Sequence, residues 1–153
     1  MANTFTQLYT QIVIVVQGRH CLIPGSRKEN LYKYITAIIQ NKKHKLIVIG
    51  GISNHIHILI GLNPVEALSD LVKEVKRCST NFINEQKWLI GKFSWQEGYG
   101  AFSYSRSQLD RVINYINNQE EHHKKKTFRE EYIKLLKKFE VEYDEKFIFE
   151  DVQ

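Results

Sequence analysis

Apolar residues run without a break through Ile12-Val13-Ile14-Val15-Val16, a β-branched string that predicts a buried strand over 9–16, closed by Gly18. After the Pro24-Gly25 turn the period changes. Leu31, Tyr34, Ile35, Ile38 and Ile39 recur at helical spacing, with Ser26 placed to cap the helix. Lys42, Lys43 and Lys45 close it before Leu46-Ile47-Val48-Ile49, a second strand. Gly50-Gly51-Ile52-Ser53 reads as the turn into a third strand, His55-Ile56-His57-Ile58-Leu59-Ile60, and so short a loop implies an antiparallel hairpin. Asn63-Pro64 opens a second helix striped by Val65, Leu68, Leu71, Val72 and Val75, and residues 99–104 form a last short strand. The order β-α-β-β-α-β predicts an α+β fold of ferredoxin-like type, a four-stranded antiparallel sheet with two helices on one face.

Two more helices follow that core of about 8–104. Ser105-Arg106-Ser107-Gln108 has the capping-box pattern and opens a helix over about 106–121, with Leu109, Val112, Ile113 and Ile116 as its apolar stripe. Thr127-Phe128-Arg129-Glu130 repeats the pattern and opens a helix over about 127–140, whose Tyr132, Ile133, Leu135, Leu136 and Phe139 assign it to packing. All 153 residues read as one domain, and 42% hydrophobic residues suffice for its core. No apolar stretch approaches the roughly 18 residues of a membrane span, and residues 4–10 lack the pattern of a secretory signal, so a cytoplasmic protein is expected. Cys21 and Cys78 lack metal-site spacing and read as packing residues.

Charge is uneven. Residues 1–118 hold 14 Lys/Arg against 7 Asp/Glu, a net of +7, and residues 119–153 hold 8 against 10, a net of −2. The basic body points to a polyanion partner, because clustered cations gain affinity for phosphates by releasing counterions. Arg27 and Lys28, and the ridge of Lys73, Lys76 and Arg77 on the second helix, are the candidate DNA contacts. Trp88, Phe93, Trp95, Tyr99, Phe102 and Tyr104 offer stacking surfaces to bases, although aromatic residues at this density fit a core as well.

Strand alternation puts His55 and His57 on one face and Ile56, Ile58 and Ile60 on the other. Side by side, two imidazoles can share one divalent metal; the pattern also fits two ordinary half-buried histidines. Tyr115 and Gln119, one helical turn apart, lie together on one flank of the helix stripe, roughly 110° and 70° from its centre. There they can serve as nucleophile and third ligand, or as an amphipathic tyrosine with a polar neighbour. His122 and His123, in the charge-dense stretch 120–126, read first as a solvated helix end or hinge, and His20 and His44 as surface residues.

Taken with Trp95-Gln96-Glu97-Gly98-Tyr99-Gly100-Ala101-Phe102-Ser103, Tyr115-Ile116-Asn117-Asn118-Gln119 and Glu121-His122-His123-Lys124-Lys125, the His55-Ile56-His57 motif resembles that of the single-tyrosine HUH transposases of the IS200/IS605 insertion-sequence family. The resemblance spans nearly the whole chain. It implies Tyr115 as catalytic nucleophile, His55, His57 and Gln119 as metal ligands, and Mg²⁺ or Mn²⁺ as cofactor. It further implies single-stranded DNA with hairpin ends as substrate, a 5′-phosphotyrosine intermediate, and a homodimer in which the tyrosine helix of one subunit completes the partner's site. A domesticated hairpin endonuclease and a non-catalytic hairpin-binding protein fit the same residues. Two imidazoles and an amide oxygen leave the full charge on the metal. Where many relatives have an aspartate before the first histidine this chain has Asn54, which orients the imidazole without raising its basicity.

Overall fold

The computed structural model describes residues 3–152. Its strands are β1 (Tyr9–Val15), β2 (Lys45–Ile52), β3 (His55–Gly61) and β4 (Gly100–Tyr104), in the sheet order β2-β3-β1-β4. All three pairings are antiparallel. Helices α1 (Lys28–Asn41) and α2 (Leu68–Gln86) supply the β-α-β-β-α-β order, and α3 (Leu109–Asn117), α4 (Gln119–His122) and α5 (Phe128–Lys138) follow it.

The two faces of the sheet are covered by different halves of the chain. Ile12, Ile14, Ile56, Ile58 and Ile60 project to one face by strand alternation and pack with Leu31, Ile35 and Ile39 of α1 and Leu71, Val72 and Val75 of α2. Leu59, on the opposite face, packs against Leu109, Val112 and Ile116 of α3. Register fixes which polar groups share that second face. Val13 lies opposite His57, Val15 opposite His55 and Gln11 opposite Leu59, so Gln11, His55 and His57 all look toward α3–α5.

Several boundaries differ from the sequence expectation, each for a local reason. Gly50, Gly51 and Ile52 belong to β2, and the turn is Ser53-Asn54. The glycines are there for close approach: a Cβ at Gly50 would lie 2.4 Å from the Ile116 carbonyl of α3, and one at Gly51 2.3 Å from the His55 carbonyl. The second helix starts at Leu68, and Val65 is exposed rather than part of its stripe. Residues 63–66 instead fold onto the end of the hairpin, where Glu66 bonds Lys42 Nζ at 2.7 Å and His44 Nε2 at 2.8 Å. His44 is thus buried rather than a surface residue. Ser26 sits within a 3-10 turn ahead of α1 and caps nothing. By contrast Ser105 and Gln108 form the expected capping box, and Thr127 Oγ1 accepts from Glu130 N at 3.2 Å to cap α5.

Candidate active site

His55 and His57 are completely enclosed, with ring centroids 5.1 Å apart. Their orientation follows from what holds each Nδ1. Asn54 donates through Nδ2 to the Val152 carbonyl at 2.6 Å, which leaves its Oδ1 to face His55 Nδ1 at 2.7 Å. Likewise Gln11 donates through Nε2 to Tyr104 Oη at 2.7 Å, turning its Oε1 to His57 Nδ1 at 2.7 Å. Both Nδ1 atoms therefore carry a proton, and both Nε2 atoms point inward. Asn54 thus orients the first imidazole, as its position before that histidine suggests.

The inward atoms meet groups from the C-terminal helices. Gln119 is buried, donates to Glu131 Oε2 at 3.1 Å, and presents Oε1 to His55 Nε2 at 2.9 Å. Glu131 of α5, 2% exposed, places Oε1 3.2 Å from His57 Nε2 and 3.5 Å from His55 Nε2. Half-buried Tyr115 donates its hydroxyl to Glu131 Oε2, and its ring lies 5.6 Å from that of His57. His123 Nε2 reaches Gln119 Oε1 at 3.0 Å and Glu131 Oε1 at 3.3 Å, and His122 Nε2 stands 3.2 Å from Glu131 Oε2.

Electrostatics set the protonation of this cluster. Burial, with the neighbouring His57, holds the His55 imidazole well below its ordinary range, so it is neutral. Burial also lowers His122. His123 feels the same burial, but the Glu131 carboxylate outweighs it and raises the ring. Glu131 is buried too, yet hydrogen bonds from His123 and His57, with the positive charge around it, keep it ionised far below the usual carboxylate range. Tyr115 is pushed strongly upward by burial and by that carboxylate, so the phenol is protonated.

A neutral His55 leaves two lone pairs, on its Nε2 and on Gln119 Oε1, facing each other at 2.9 Å. A cation held beside both would satisfy them together, His123 otherwise reaching only the Gln119 oxygen of the two, and the nearby Glu131 oxygen adds charge of the right sign. Imidazole nitrogens with amide and carboxylate oxygens form a donor set that fits Mn²⁺ and, less closely, Mg²⁺. His55, His57 and Glu131 each offer a ligand atom within 4.8 Å of the others, as do His122, His123 and Glu131.

Sequence reading placed His55, His57, Tyr115 and Gln119, and the fold brings all four together. It did not place Glu131, whose helix was assigned to packing alone, and it set His122 and His123 at a solvated hinge, whereas both face the cluster. Glu131 also removes part of the charge that two imidazoles and an amide would leave on a metal. The expected helix over about 106–121 is divided, α3 ending at Asn117 and α4 beginning at Gln119. Of the expected DNA contacts, Lys28 pairs with Glu120 at 2.6 Å, Arg77 with Glu74 at 2.6 Å, and Lys76 donates to the Gln96 and Gly98 carbonyls. Arg27 lies over the Trp88 ring at 5.9 Å, and Lys73 is exposed. Phe93, Trp95 and Phe102 are core residues.

A family model described as "Transposase IS200 like" matches residues 4–119. The chain belongs to the IS200-like transposase family. The transposase is 23% identical over 120 residues to the ISDra2 transposase TnpA of Deinococcus radiodurans, which covers 74% of this chain and 84% of that protein. Its fold matches the crystal structure of a Deinococcus radiodurans R1 protein assigned as a transposase, with a TM-score of 0.57 at 20% identity over 76% of this chain and 94% of the other. It also matches a REP-associated tyrosine transposase bound to a REP hairpin, with a TM-score of 0.60 at 12% identity over 79% and 72% of the two chains. No helix of the transposase is long and apolar enough to cross a membrane among the described residues.

Proposed function

We propose that this transposase cleaves and rejoins single-stranded DNA at hairpin-bearing ends through a 5′-phosphotyrosine on Tyr115. The observation that carries the reading is the convergence of the Tyr115 hydroxyl, two inward-facing imidazoles and the Gln119 amide around Glu131, with the Gln119 carbonyl turned to His55. The hairpin in the structural neighbour supports the choice of substrate. His55, His57 and Gln119 would hold a Mg²⁺ or Mn²⁺ ion, with Glu131 as a further ligand. Such an ion, when bound, polarises a phosphate oxygen.

The chain's own groups do the rest. Tyr115 attacks the scissile phosphorus: the Oη–P bond forms, the P–O3′ bond breaks, and the leaving 3′-oxygen takes up a proton from solvent. The phenolic proton already points at the Glu131 carboxylate, its acceptor within reach. A phenolate leaves more readily than a sugar alkoxide, so a second 3′-hydroxyl can attack the phosphotyrosine and release Tyr115 with no external energy source. We assign the nucleophile in cis, because Tyr115 stands over the His57 of its own chain and Gly50 gives its helix room to do so.

Hairpin-bearing single-stranded DNA incubated with Mn²⁺ and run on a denaturing gel gives a protein-linked band with the wild type and none with Tyr115→Phe. An equal band from both, or none from the wild type, overturns the reading in favour of a hairpin-binding protein. Mixing Tyr115→Phe with His55→Ala subunits restores no band for a cis site. Recovery on mixing would instead establish a homodimer whose tyrosine helix completes the partner's site.

A further inference from the structure

The enclosed cluster opens to the surface through a groove of about 240 Å³ between α3 and α5, lined in part by Tyr115, His122 and Glu131. Tyr104, Val112 and Leu135 give it apolar surface. Around it stand four cations, Arg111, Lys126, Lys134 and Lys138. None of the four appears in an ion pair among the described residues. They crowd one another: Lys126, with Lys138 behind it, depresses the exposed Lys134 ammonium. Glu131 is the one acid in that lining, and four like charges gathered around a single carboxylate are unfavourable until a further anion joins them.

The site therefore calls for a ligand with repeated negative charges along a strand, flat apolar groups between them, and an electrophilic phosphorus within reach of Tyr115. Flat groups free to lie against an apolar wall belong to an unpaired strand, since in a duplex the bases stack on one another. We infer that this groove is the track of the unpaired strand next to the scissile phosphate, with Arg111, Lys126, Lys134 and Lys138 holding its phosphates and the Tyr104 ring against a base. The inference rests on the proposed DNA cleavage for its substrate, and it moves the strand contacts from the α2 ridge to the α3–α5 side. Most of the basic residues expected from sequence are spent on partners within the chain, as Lys28 and Arg77 are on Glu120 and Glu74.

Fluorescence anisotropy of a labelled oligothymidylate in the Tyr115→Phe background, without metal, tests the track apart from chemistry. Lys134→Gln/Lys138→Gln weakens binding about ten-fold at low salt and flattens the plot of log affinity against log salt by about 1.4, roughly 0.7 for each lost contact with a single strand. Lys33→Gln/Lys87→Gln, equal in charge and carried by the α1–α2 side, weakens it less than about two-fold. Equal loss from both pairs, or no loss from the groove pair, overturns the inference. The same variants carrying Tyr115 separate it from the cleavage reading. Groove-dependent binding without any tyrosine-linked product overturns cleavage and leaves the track standing; wild-type affinity and cleavage in the groove pair overturn the track alone.

Discussion

β3 presents two faces that are equally inaccessible to water and chemically opposite. Ile56, Ile58 and Ile60 lie against α1 and α2, and His55 and His57, alternating with them on the same backbone, lie against α4 and α5; all five are fully buried. The isoleucine face gains free energy simply by leaving water. Across the strand, imidazoles, amides and a carboxylate gain only if each finds its partner, and there the His55 and Gln119 lone pairs oppose each other at 2.9 Å. One face is built for stability alone. Its opposite gives up stability to hold an array of electron pairs, the pattern expected where local frustration serves chemistry.

The sharpest way to break that contrast is to truncate neighbours on the strand. Ile58→Ala should cost about 2–5 kcal/mol of folding free energy, through lost burial and the cavity left behind, while the folded fraction still binds Mn²⁺. His57→Ala should abolish Mn²⁺ binding, read by titration calorimetry or the Mn²⁺ paramagnetic signal, at a smaller cost in urea-unfolding stability. If the two variants lost stability and metal together, the faces would not be separable.

A smaller effect follows from acid. His55 and His122 bind protons more weakly when folded than at their ordinary value of 6.5, and Glu131 more weakly than at 4.5. The unfolded chain therefore takes up more protons, and stability falls as the pH drops below about 6.5 and again below about 4.5. His123 is raised, so its contribution is complete below 6.5 and is lost as the pH rises through its folded value. The metal-free melting temperature should thus decline on the acid side of 6.5, and Glu131→Gln should remove the step below 4.5. A melting temperature flat from pH 6.5 to 4 would show that the polar face titrates no differently folded than unfolded.

The smallest change falls on a supporting contact. Asn54→Ala removes the group that fixes the His55 tautomer and should weaken Mn²⁺ binding about ten-fold, with the metal-free melting temperature little altered. An unchanged Mn²⁺ affinity would mean that packing alone orients the ring.

What the sequence made legible divides along the same line. Period-two alternation placed His55 and His57 on one face, and the turn from Tyr115 to Gln119 placed those two on one flank, because both depend on local geometry. Glu131 depends on α5 folding back over the sheet, and its charged surroundings suggest a solvated face. One local signal was present: Phe128, Glu131, Tyr132, Leu135 and Leu136 fall at i, i+3, i+4, i+7 and i+8, so the carboxylate stands within the apolar stripe. Gln11 carries a similar mark, a polar residue in step with Val13 and Val15. For Gly50 the Ile116 carbonyl it accommodates lies more than sixty residues away, and adjacent glycines are locally indistinguishable from a turn.

The bond from Asn54 to the Val152 carbonyl spans 98 residues, and those from the histidines to Gln11, Gln119 and Glu131 span 46, 64 and 74. Loops of that length close late, after the hairpin and the helices have formed. During synthesis, the residues of the isoleucine face emerge long before the segment around Val152 that anchors Asn54. The proposed site thus draws on chain made early and chain made late, and a polypeptide halted before α5 would carry both histidines without Glu131.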